Sequence, residues 1–168
     1  MPQSEADELE RPAEGWEYAY VAGVIDYSSG LSIGAQKSNT ASIGYTIKTK
    51  MFFSSTDIDG LEYISDFCER HGIELKKQNR SGKTIRLQTS KRANVQKLLR
   101  LVKPCLIARH TESEILAEKL IPSLDKGEGS TKEGFIKLMG YVDEIRKEGQ
   151  DRKNVKYDQD YFREKWDC

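Results

Sequence analysis

Alternating segments come in adjacent pairs in this sequence, and the pairing restricts the fold class. The clearest runs through Ile43-Gly-Tyr-Thr-Ile-Lys-Thr-Lys-Met-Phe52, with Ile43, Tyr45 and Ile47 on one face and Thr46, Lys48 and Lys50 on the other. A smaller mixed segment, Leu31 to Lys37, precedes it, and Ser38-Asn-Thr40 reads as the turn between the two. A second pair follows: Ile73 and Leu75 alternate with Glu74 and Lys76, and Ile85 and Leu87 with Thr84, Arg86 and Gln88. Asn79-Arg-Ser-Gly82 is the expected hairpin turn between them. Strands that neighbour one another in sequence pair antiparallel, so the expected class is α+β.

The intervening segments read as helices. Trp16 to Asp26 is mostly apolar on more than one face, as in a short buried helix, and Tyr27-Ser-Ser-Gly30 is expected to break it. Asp57 or Asp59 caps a helix to about His71, with Leu61, Ile64, Phe67 and Cys68 in its stripe and Gly72 ending it. Ser90 is the expected cap of a helix carrying Val95, Leu98, Leu99 and Val102, stopped near Pro104. Further helices are expected at about Thr111 to Ile121 and Thr131 to Lys147, and an amphipathic docking helix at Tyr157 to Trp166. The order is helix, hairpin, helix, hairpin, helix, then more helices. Residues 1–14 read as an acidic disordered tail, 15–150 as the folded domain and 151–168 as a C-terminal extension with a short helix.

With 168 residues the chain can build a core without disulfides. Its net charge is zero, but the distribution is uneven. Residues 31–110 carry 15 basic and 6 acidic side chains, a net of +9, between acidic ends of −6 and −3. One apolar sheet face must be covered by helices. The other shows Gln36, Thr46, Lys48, Lys50, Lys76, Thr84, Arg86 and Gln88, with Lys37 and Arg80 beside them. Basic and amide side chains on an open sheet face suit the major groove of double-stranded DNA, the expected partner. Charges spread evenly over a solvated surface are the alternative.

Several classes have no support. No apolar run approaches the roughly 20 residues of a membrane span, and the acidic N-terminus lacks the apolar region of a signal peptide. Three cysteines without CxxC spacing argue against a disulfide framework or zinc site and suit the cytoplasm. No P-loop, GxGxxG, HExxH or GxSxG occurs, so no small-molecule substrate is expected.

The segment Val21-Ala-Gly-Val-Ile-Asp26 resembles the start of the LAGLIDADG motif of homing endonucleases. The element order from about Trp16 to Lys147 is similar to that family's, with its helix-hairpin-helix-hairpin-helix unit, curved antiparallel sheet and C-terminal helices. The resemblance implies binding of a long pseudo-palindromic DNA site and, with magnesium, hydrolysis of both strands in intron or intein mobility. A single motif implies a homodimer, with Val21, Ala22, Gly23 and Ile25 at the interface; Ala22 and Gly23 are small enough for close helix approach. The same two residues could instead pack on the chain's own sheet.

The resemblance also marks a departure. Tyr27-Ser28-Ser29-Gly30 stands where Ala-Asp-Gly would follow, so Ser28 falls at the metal-binding acid. A neutral hydroxyl replaces a carboxylate poorly on a hard cation. Asp26 is the one acid in the motif, and serves as metal ligand only if the helix end is rearranged. Arg109 matches the family's basic residue after the third helix, near a developing charge, or else is an ordinary helix-start arginine; His110 is adjacent. A cleavage-deficient DNA-binding regulator or relic of the same fold is the alternative function.

Overall fold

A computed structural model describes residues 15–148 and 155–168; the acidic segment 1–14 lies outside them. The elements are α1 (Trp16–Ser28), β1 (Ser29–Lys37), β2 (Tyr45–Ser55), α2 (Ile58–Arg70), β3 (Lys76–Asn79), β4 (Ile85–Thr89) and α3 (Arg92–Val102). A helical stretch then runs through α4 (His110–Glu114), a π-helical segment (Ile115–Leu120) and α5 (Ile121–Asp125), before α6 (Lys132–Glu148) and α7 (Gln159–Trp166). The strands form one four-stranded antiparallel sheet in the order β1-β2-β4-β3, so the α+β expectation holds.

Register assigns the faces. Tyr45, Ile47, Thr49, Met51, Phe53, Leu87 and Thr89 are all buried, and α1, α2, α3 and α6 pack on the sheet. The opposite face has no covering element among the described residues. Each of α2 and α3 buries a single stripe, Leu61, Ile64, Phe67 and Cys68 in one, Val95, Leu98, Leu99 and Val102 in the other. Asp57 caps α2 by accepting from the Gly60 amide.

Several boundaries differ from expectation. Helix α1 continues through Tyr27 to Ser28 and passes into β1 at Ser29 without a turn. The Ser29 hydroxyl donates to the Ile25 carbonyl at 2.8 Å, satisfying a helix-end acceptor locally. β2 starts at Tyr45 after a connection over 38–44, not at Ile43. β3 starts at Lys76, because Ile73 belongs to the end of α2: Gly72, at φ 70°, donates to Glu69 and Ile73 donates to Cys68. This is a Schellman closure, and it buries Ile73. Ser90 is not the cap of α3; Lys91 occupies that position and its amide donates to the Thr89 hydroxyl.

At the end of the π-helical segment the Ile121 amide donates to the Leu116 carbonyl. Pro122 has no N–H to give the Ala117 carbonyl in the i→i+5 pattern. The Gln96 side-chain amide donates to that carbonyl at 2.8 Å instead. Helix α7 docks through Phe162, which is fully buried among Tyr45, Phe135, Tyr157 and Trp166. No helix among the described residues is long and apolar enough to cross a membrane.

Candidate nucleic-acid interface and helix-end site

Pairing across β1 and β2 places Gln36 opposite Thr46, Gly34 opposite Lys48, Ser32 opposite Lys50 and Gly30 opposite Phe52. Phe52 and Ser54 then face Gln88 and Arg86, and these face Lys76 and Gln78 on β3. The structure thus brings Gln36, Thr46, Lys48, Lys50, Lys76, Arg86 and Gln88 onto the open face. Thr84 and Arg80 close the second hairpin, where the Arg80 amide donates to the Thr84 carbonyl at 2.8 Å. Lys37 is different: it pairs with buried Tyr45, so its side chain belongs to the other side of the sheet. Lys50 sits in mid-strand opposite Ser32. Ser32, Phe52, Ser54 and Gln78 share the face and were not among the residues expected there. The later start of β3 carries Gln78, since period-two spacing from Lys76 reaches it directly.

No Asp or Glu lies in any of the four strands. Among the described residues, Lys48, Lys50, Lys76, Arg80 and Arg86 have no ion-pair partner, nor do Lys37, Lys77, Lys83 and Lys97, whereas Arg70, Lys91, Arg92, Arg100, Lys103 and Arg109 each have one. The uncovered face therefore carries unpaired cations and no strand carboxylate.

The end of α1 is built around Asp26. Its carboxylate is buried and accepts from two backbone amides, Ile107 on Oδ2 and Arg109 on Oδ1, both at 2.9 Å. Both oxygens are committed to the 106–109 turn. Arg109 reaches back, donating from Nη2 to the Ser29 carbonyl at 3.1 Å and pairing with Glu112 at 3.4 Å. Glu112 was not anticipated from the sequence. Burial pushes its carboxyl above the ordinary range, opposed by Arg109 and reinforced by Glu148. Ser28 is exposed and lines a cleft of about 230 Å³ with Ser54, Ser55 and Asp57. Asp57 is already engaged as the α2 cap.

Helix α1 divides cleanly. Val21, Ala22 and Ile25 are all at 0 % exposure, so they pack into the chain's own core instead of facing a second copy. Tyr20, Gly23, Val24 and Tyr27 lie on the outward side, and a Cβ placed on Gly23 would meet nothing within 4 Å. Of the four interface residues expected, only Gly23 is placed outward.

No family model matches this sequence, and no curated protein matches it. Solved structures do match in fold. The homing endonuclease I-CvuI, in complex with a DNA target, superposes with a TM-score of 0.76 at 13% identity, over 96% of this chain and 94% of that one. The archaeal intron-encoded homing endonuclease I-Vdi141I, complexed with DNA, gives 0.75 at 19% identity, over 92% and 98%. The I-SmaMI LAGLIDADG homing endonuclease, bound to cleaved DNA, gives 0.70 at 14% identity over 88% of this chain but 48% of that one. The chain has the LAGLIDADG homing-endonuclease fold.

Proposed function

We propose that the protein binds double-stranded DNA in the major groove along the open face of its sheet, as a homodimer joined through α1. The observation that carries this reading is the segregation of charge on that face. Cations with no carboxylate partner stay available to phosphates, and each phosphate neutralised releases counterions. The amides and hydroxyls interleaved with them are groups that read base edges. The DNA complexes of I-CvuI and I-Vdi141I support the reading by fold. The outward stripe around Gly23 supports the homodimer, as does a chain length close to those two proteins and about half that of I-SmaMI. Among the described residues no cysteine is paired, which suits action in a reducing cytoplasm.

The fold also implies a divalent metal at the end of the motif helix, where it would activate water and stabilise phosphate oxygens. The donors of this chain do not fit one there. Ser28 offers a neutral hydroxyl, both Asp26 oxygens are held by amides, and no cluster of three His, Cys, Asp or Glu suited to a metal occurs among the described residues. A second reading rests on these donors alone: the same surface binds DNA and magnesium-dependent cleavage is weak or lost, a reading that the endonuclease neighbours do not favour. Intron or intein mobility would require the cut and so belongs only to a reading in which the chain cleaves.

Anisotropy titration of a labelled random-sequence duplex across a salt series tests the binding reading. Affinity should fall steeply with salt, and Lys48→Ala or Lys76→Ala should each lower the log–log slope by about one. Affinity indifferent to salt, or unchanged when Lys48, Lys50 and Lys76 are all replaced by Ala, would sink it.

A further inference from the structure

Arg86 is held in one orientation on the open face. Its guanidinium carbon lies 4.0 Å from the centroid of the Phe52 ring, and its Nε donates to the Ser54 hydroxyl at 3.0 Å. The Phe52 ring rests on Gly30, where a Cβ would overlap it, so the neighbouring strand supplies the floor of the stack. Plane and Nε edge are both fixed, yet among the described residues the two terminal nitrogens have no hydrogen-bond or ion-pair partner. In Arg70, Arg109 and Arg146, by contrast, both terminal nitrogens are engaged.

A guanidinium fork with two free donors matches two adjacent acceptors. In the major groove guanine presents that pair, O6 and N7, on one base. Adenine offers one acceptor beside a donor, thymine one acceptor beside a methyl, and cytosine a donor. A phosphate also accepts from a fork, but the surroundings of Arg86 favour a base. Its directly paired neighbours are Ser54 and Gln78 and the next residue of its own strand on that face is Gln88, all neutral, while Lys76 lies one step away, opposite Gln88. Holding the fork before contact reduces the rotamer entropy lost on binding.

We propose that Arg86 reads a guanine in each half-site, with Phe52 and Ser54 as its positioning residues. This rests on the DNA-binding reading above and adds the base selected.

The test is repeated selection from a pool of randomised duplexes, followed by sequencing, for wild type, Arg86→Lys and Ser54→Ala. Wild type should enrich sites with guanine at one fixed position of each half. Arg86→Lys keeps the charge and loses the fork, and should reduce that preference about 5- to 150-fold while other positions keep theirs. Ser54→Ala, which frees the Nε edge, should lose part of the same preference, and serves alone if Arg86→Lys does not fold. Guanine preference that survives both substitutions overturns the proposal, as does uniform weakening across all sequences, which would mark a phosphate contact. Retention of no duplex by wild type would overturn the DNA-binding reading as well, so the two failures are distinguishable.

Discussion

Asp26 accepts a hydrogen bond from the Arg109 amide across 83 residues of sequence, and the Arg109 guanidinium reaches back to the same helix end, donating to the carbonyl of Ser29, three residues beyond Asp26. The Ile107 amide completes the carboxylate's set. Hydrogen bonds to a charged acceptor are the stronger kind, and losing one partner leaves the other desolvated. Asp26→Ala should therefore destabilise by about 3–5 kcal/mol in urea denaturation. Asp26→Asn retains one acceptor oxygen and should cost about 1–2 kcal/mol. An Asp26→Ala protein as stable as wild type would refute the clamp.

Gly23→Leu separates association from folding. Among the described residues nothing lies within 4 Å of a Cβ placed there, and leucine is the better helix former by up to about 1 kcal/mol. Sedimentation should show the wild-type dimer replaced by a monomer whose unfolding midpoint is unchanged or higher. Ile25→Ala should do the reverse, costing about 2–5 kcal/mol of stability through a core cavity. A dimer unaffected by Gly23→Leu would place the interface elsewhere.

Ser28→Asp restores a carboxylate at the exposed helix end. Magnesium-dependent nicking of the selected duplex should rise above wild type. The acid faces the negative end of the α1 dipole, so a penalty of about 0.3–1 kcal/mol should accompany it. Nicking no greater than wild type would mean that the helix end does not hold the metal.

Glu112 gives a pH signature. Burial raises its carboxyl above the ordinary value of 4.5 in the folded chain. The protonated form is the one favoured by folding, so this contribution is complete below the unfolded value and is lost as pH rises through the elevated folded one. Glu112→Gln removes that loss. Compared by denaturation midpoint, the variant should gain on wild type as pH rises from the carboxylate range to neutrality. A constant difference would show that the Arg109 pair offsets the burial.

The legible parts of the fold were those with one periodic signal. The stripes of α2 and α3 stand out because their apolar residues keep to one side. Helix α1 is apolar all round, so the sequence does not distinguish inward Ala22 from outward Gly23; only the packed sheet does. The position of Lys37 depends on the register set by the 38–44 connection, which the period of either strand leaves open. Asp26 looked available to a metal because its actual partners are backbone amides more than 80 residues away, and backbone groups leave no mark in a residue pattern. Arg86 was visible as a charge, whereas its stack on Phe52 required the pairing of β2 with β4.

The turnless passage from Ser28 into Ser29 makes α1 and β1 one continuous lever. In the proposed dimer its pivot would be the outward stripe around Gly23, and its far arm is the edge of the sheet. The Ser29–Ile25 and Ser29–Arg109 bonds stiffen the elbow. In a pair of chains, the crossing angle at the pivot would be carried without slack to the two sheets and would fix the helical phase between the half-sites they read. Insertion of a single residue at the elbow would alter which spacing of half-sites is bound, while leaving the bases preferred within each half as they were.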